Sequence, residues 1–164
     1  MALTCVTGPV TSLAAIDFHI RPLLAVTTSD GRIHLIDPME DRRIGIWSPF
    51  PTRVPESIVV EGLKVRVSVR DGRAVVLIED DELLHTLGEG VACVHATIVH
   101  GAPRVVTGGV DGAIRIWDPA SGAPIGGPLR THVGPVKALC VVDDVLVSSG
   151  EDGILQRWRW QLDW

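Results

Sequence analysis

The sequence has no tyrosine, no asparagine and only two phenylalanines, and its positive charge is almost all arginine, 13 against 2 lysines. That bias points to a GC-rich, bacterial coding sequence rather than to a chemistry. Positive charge is itself in deficit: the formal net charge is −5. A nucleic-acid partner needs a clustered basic surface, so that class is excluded. No apolar run approaches the ~18 residues of a membrane span, and no basic start followed by an apolar stretch marks a secretion signal. The three cysteines, Cys5, Cys93 and Cys140, are odd in number and show no metal-ligand pairing. Cys93 and Cys140 sit in apolar runs, where a free thiol behaves as a small hydrophobe. A reduced, cytoplasmic setting follows. At 46% hydrophobic over 164 residues, the chain is a folded domain rather than a disordered one.

What is present is a period. Gly109-Val110-Asp111-Gly112-Ala113-Ile114-Arg115-Ile116-Trp117-Asp118 is an Asp-Gly turn feeding a short strand. The pair recurs at Asp30-Gly31, Asp71-Gly72 and Asp152-Gly153, with steps of 41, 40 and 41 residues between glycines. A period near 40 with four strands per unit describes a β-propeller blade. The expected fold is all-β, with four repeats over about 1–50, 51–86, 87–128 and 129–164 in one domain. Strands are expected at Val10–Ile16, Leu23–Thr28, Arg32–Ile36 and Arg43–Trp47, then at Ser57–Val60, Lys64–Val69, Arg73–Ile78 and Glu82–Thr86. The third repeat gives Val91–Val99, Arg104–Thr107, Ile114–Trp117 and Pro124–Leu129. The fourth gives Ala138–Val142, Val145–Ser148 and Ile154–Trp158. Val65, Val67 and Val69 alternate with Arg66, Ser68 and Arg70, the period-2 pattern of a half-buried strand.

With these turns and Trp117-Asp118, the whole length resembles the WD-repeat β-propeller family. The resemblance implies a hydrogen-bonded tetrad within each repeat. His132, Ser148, Asp152 and Trp158 occupy its positions in the fourth repeat. Thr107, Asp111 and Trp117 keep part of it in the third, where Leu87 stands in the place of the histidine. The first repeat keeps only Asp30 and the second only Asp71, so those blades rest on apolar packing. Blades of this family, by resemblance, are wedge-shaped for rings of seven or eight, so four would form a half-propeller with two open flanks. Residues Leu3–Val10 align with Leu129–Val136, so the chain holds close to four whole repeats with no spare strand. The expected resolution is a homodimer closing an eight-bladed ring. The alternative is completion by another polypeptide or a missing part, as in a piece of a bacterial signalling system. Trp158, Trp160, Leu162 and Trp164 alternate onto one apolar face that needs a cover, and Trp160 and Trp164 are the expected ring-closing contacts.

No catalytic set, metal site or cofactor motif emerges. His95, His100 and Cys93 read as strand and loop residues, His19 and His34 as ordinary loop and strand positions, and Glu79-Asp80-Asp81-Glu82 as a solvated hairpin loop. Gly108-Gly109 is no phosphate cradle and Ser148-Ser149-Gly150 no nucleophile elbow. The resemblance implies instead a non-enzymatic scaffold that binds a protein or peptide on the face lined by loops before each first strand. Pro9, Thr11, Pro135 and Lys137 flank the opening valines there, with Gly90 and Ala92 in the third repeat.

Overall fold

The computed structural model describes residues 2–3, 9–18, 21–29, 33–40, 42–47, 57–60, 63–78, 82–130, 132–142 and 145–160. They form strands and turns, with no helix among them. Blade one comprises β2 (Val10–Phe18), β3 (Arg21–Thr28), β4 (Ile33–Asp37) and β5 (Arg42–Trp47). Blade two comprises β6 (Ser57–Val60), β7 (Leu63–Arg70), β8 (Arg73–Ile78) and β9 (Glu82–Leu87). Blade three comprises β10 (Val91–Val99), β11 (Ala102–Gly109), β12 (Ala113–Trp117) and β13 (Pro124–Arg130). Blade four takes β14 (Val136–Val142), β15 (Val145–Gly150) and β16 (Leu155–Arg159) from the end of the chain and β1 (Ala2–Leu3) from its start. Each blade is a four-stranded antiparallel meander.

The turns explain the register. Gly72, Gly112 and Gly153 sit at φ +70 to +75, the left-handed region an Asp-Gly turn needs. Asp111 and Asp152 complete their turns by accepting the N–H two residues on, from Ala113 at 3.2 Å and from Ile154 at 3.0 Å.

Alternation along the strands gives each blade two apolar faces, and these meet in three buried seams. Val65, Val67 and Val76 of blade two pack on Val91, Ala96 and Val105 of blade three. Val106 and Ile114 of blade three pack on Val136, Leu139 and Leu146 of blade four. Leu13, Leu24 and Val26 of blade one pack on Cys140, Val142 and Val147 of blade four. Each seam carries a clasp onto a backbone carbonyl across it. His85 Nε2–H donates to Ala120 at 2.9 Å, Cys93 Sγ–H to Val136 at 3.6 Å, and Arg157 to Pro38 at 2.5 Å and Met39 at 3.1 Å. Among the described residues no buried apolar cluster joins blades one and two.

The two ends of the chain meet in blade four: Ala2 and Leu3 pair with Gln156 and Leu155 and supply its fourth strand, so among the described residues no strand is left over from an extra blade. A buried apolar seam joins blades one and four within one chain, so the two flanks without such a seam among the described residues are those of blades one and two. Trp158 and Trp160 are covered from within, packed against the seam of blades three and four. Trp164 lies outside the described residues, as do Cys5, His19 and Asp30.

Candidate functional site

The inner strands open in the same way in three blades. Pairing of β2 with β3, β10 with β11 and β14 with β15 slips by one residue after Val10, Val91 and Val136. A bulge of this kind bends the strand and re-aims the extra residue. That residue is Thr11, Ala92 or Lys137, all of them exposed. Just ahead of each bulge, Pro9, Gly90 and Pro135 accept equivalent backbone bonds from Ser29, Val110 and Glu151, at 2.9, 2.7 and 2.9 Å. The loops are thus pinned to a common shape whatever their side chains. Thr11 is further tied by its hydroxyl to the carbonyl of Thr27 at 3.2 Å, and Lys137 lies 3.3 Å from the Glu151 carboxylate. Three aliphatic side chains stand exposed on the neighbouring turns: Val110 at 54%, Val133 at 83% and Ile154 at 40%.

Behind this face the tetrad positions hold the turns. His132 has a fully buried ring between Asp152 and Ser148. A carboxylate only accepts, so the Nδ1–H of His132 donates to Asp152 at 3.1 Å. In the neutral ring Nε2 then accepts from the Ser148 hydroxyl at 2.9 Å. Asp152 also accepts from the backbone of Val133 at 2.9 Å. Burial disfavours its charge, but the bonds from Val133, Ile154 and His132 outweigh that, and its pKa lies below the ordinary carboxylate value. The fourth member does not join: the Trp158 indole N–H is buried without an acceptor.

Blade three has the complementary half. Trp117 Nε1–H donates to Thr107 Oγ1 at 2.9 Å. Leu87, 1% exposed, fills its seam instead of an imidazole. Asp111 turns to Arg115 at 2.8 Å, and that hydrogen bond chiefly holds its pKa below the ordinary value. In blade one, His34 is buried, with Nε2 3.4 Å from Thr28 Oγ1 and Nδ1 without a partner.

Under the loops lies a central channel of about 340 Å³ into which all four blades reach, through Ser12, Ser68, His95 and Lys137 among others. Sequence reasoning passed over this site. Ser68 and His95 sit in ordinary alternating strands, and only the packing of four blades shows that they share a cavity. No three His, Cys, Asp or Glu residues among those described are placed to hold a metal ion. Cys93 and Cys140 are free thiols whose burial pushes their pKa up to about 12, which leaves both unreactive as nucleophiles.

The stretch with the Trp117–Thr107 bond and the pinned Gly90 loop also matches a known family. Residues 81–118 match the WD40 model, described as WD domain, G-beta repeat. They are similar to one WD repeat. The match runs from β9, the outer strand of blade two, through β10, β11 and β12 of blade three. Mitochondrial division protein 1 of Mycosarcoma maydis is 43% identical over 54 residues, 33% of this chain and 6% of that protein. Among solved structures, U3-55K aligns at a TM-score of 0.51 and 16% identity over 98% of this chain and 51% of that one. The computationally designed Ika4 protein aligns at 0.48 and 22% over 97% and 96%. The chain therefore spans about half of U3-55K and a small fraction of the curated relative. The likeness to U3-55K supports the all-β, bladed fold.

Proposed function

We propose that the chain is a non-catalytic WD-repeat scaffold, built of four such repeats, which binds a protein or peptide on the loop face around Thr11, Lys137, Val110, Val133 and Ile154. One observation carries this reading. Three blades repeat the same bulge and the same pinning bond, while the exposed residues they present differ from blade to blade. A rigid frame with variable tips is what recognition of an extended partner requires. The arginine-rich, asparagine-free composition supports a bacterial origin, and the free buried thiols support a cytoplasmic one.

Peptide display against the purified chain tests the reading. Selected peptides should lose binding to Val133→Asp and to Lys137→Glu while both variants keep the wild-type circular dichroism. Peptides that bind both variants as well as wild type, or a selection that yields none, would refute it.

Self-association belongs to the same proposal. The seam of blades four and one joins the two ends of the chain, so a second copy can supply either side of it and enlarge the ring to eight blades. Completion by another polypeptide uses the same surfaces. Light scattering on a sizing column decides: twice 17.6 kDa supports the homodimer, and a single 17.6 kDa species removes it.

A further inference from the structure

The central channel holds polar groups that the fold itself leaves without work. His95 is 8% exposed and lines the channel, and no hydrogen bond from the described residues reaches either ring nitrogen. Ser68, facing the same space from blade two, has a buried hydroxyl with no partner. Buried polar groups are nearly always satisfied, so the orphaned Ser68 hydroxyl, with the unbonded His95 ring lining the same cavity, calls for an occupant. Three lines of chemistry narrow what that occupant is. No carboxylate stands among the lining residues, so a metal or organic cation has nothing to bind it. The one charged side chain there is Lys137, whose ammonium is held at the rim beside Glu151. The rest of the wall is largely aliphatic, Leu13, Val67, Val94 and Leu139 among it. At about 340 Å³ the volume falls at the lower end of small-ligand sites.

We infer that the channel is a binding site for a carboxylate carrying a short aliphatic stem, with Ser68, His95 and Lys137 donating to the carboxylate and the aliphatic wall taking the stem. Ser68 donates its hydroxyl hydrogen, the neutral imidazole of His95 its N–H, and Lys137 an ammonium hydrogen released from Glu151. Each is a donor to an anionic acceptor, the stronger class of hydrogen bond. The carboxylate belongs either to a free small acid or to the C-terminus of a peptide entering from the Lys137 rim. This inference stands on the channel alone and does not depend on what the outer loop face binds.

Calorimetric titration of the whole chain tests it with three probes: hexanoate, a pentapeptide ending in leucine with a free carboxylate, and the same peptide as its C-terminal amide. Saturable binding of hexanoate, of the free-acid peptide, or of both is expected, with the amide at least tenfold weaker than the free-acid peptide. Binding of hexanoate alone assigns the site to small acids. Binding of the free-acid peptide alone assigns it to protein C-termini. Ser68→Ala and Lys137→Met should each weaken the bound probe several-fold. Both substitutions are small and spare the seams, and circular dichroism confirms that they fold. No saturable binding of either acid, equal binding of the amide, or binding unchanged in both variants would overturn the inference. Lys137 stands at both surfaces, whereas Ser68 lines only the channel and Val133 only the loop face, so Ser68→Ala with the amide comparison and Val133→Asp let the two proposals fail separately.

Discussion

Replacing Asp152 with alanine removes the acceptor on which the fourth blade's entry loop hangs, and the structure sets the size of the effect. Three donors lose their partner: His132 Nδ1–H and the backbone N–H groups of Val133 and Ile154. Val133 and Ile154 are exposed, so water replaces the carboxylate at about 0.5 kcal/mol each. His132 has no such recourse, because its side chain is fully buried, and an orphaned buried donor to a charged acceptor costs about 2 kcal/mol. The sum is about 3 kcal/mol, or a fall in Tm of roughly 6–12 °C for a chain of this size. Urea unfolding of wild type, Asp152→Ala, His132→Leu and the double variant measures it as a cycle. The leucine is the side chain that blade three already carries at Leu87. If the cost is an orphaned imidazole, the double variant loses less than the sum of the singles by at least about 1 kcal/mol. Additivity within about 0.3 kcal/mol would show that His132 and Asp152 do not act as a unit, and the account of this loop would fall.

Other expectations separate neighbouring explanations. Gly112→Ala and Gly153→Ala both strain a left-handed turn, at about 1 kcal/mol. A Cβ at Gly112 would also collide with the His132 carbonyl, whereas Gly153 faces open space, so chemical denaturation should show Gly112→Ala to be clearly the worse of the two. Trp117→Phe should cost about 1 kcal/mol more than Trp158→Phe, because only Trp117 loses an indole bond; equal losses would mean that Trp158 has found an acceptor. Burial lowers the pKa of His95 from 6.5 to about 4, so between these values the unfolded chain takes up a proton that the folded chain refuses. Its contribution is whole above pH 6.5 and is lost as the pH falls toward 4, about 3 kcal/mol at most. Stability measured across that window should fall in wild type and stay flatter in His95→Gln.

Most of the framework was legible because two local signals agree along the chain. Alternation such as Val65, Val67 and Val69 marks the strands, and Asp-Gly pairs mark the turns between second and third strands. Each expected strand is present, and the ends move by one or two residues. The short β1 escaped because two residues carry no period; its identity comes from pairing with Leu155 and Gln156 at the other end of the chain. The Trp158 bond was expected from position, but position does not fix where an indole N–H points. Trp117 meets Thr107 and Trp158 does not meet Ser148, although the intervals are alike. The channel was illegible for a different reason. Whether Ser68 or His95 faces a cavity depends on bulges and on the packing of separate blades, which no window of sequence contains.

The family match is out of phase with the blades. The WD-like unit at residues 81–118 does not coincide with a blade; it begins with the outer strand of one and supplies the inner three of the next. The seam between blades two and three therefore lies inside a repeat. Opening it would break the contact of Leu87 with Val91 and the bond from His85 to Ala120, while the Gly88–Gly90 connection still holds both sides together. The same phase applies at the ends of the chain, where β1 takes the place an outer strand occupies in the other blades. The loops bearing Thr11 and Lys137 are thus held by two blades packed together rather than by one sheet. Aliphatic burial fixes the frame, and the bulges leave Thr11, Ala92 and Lys137 exposed on it.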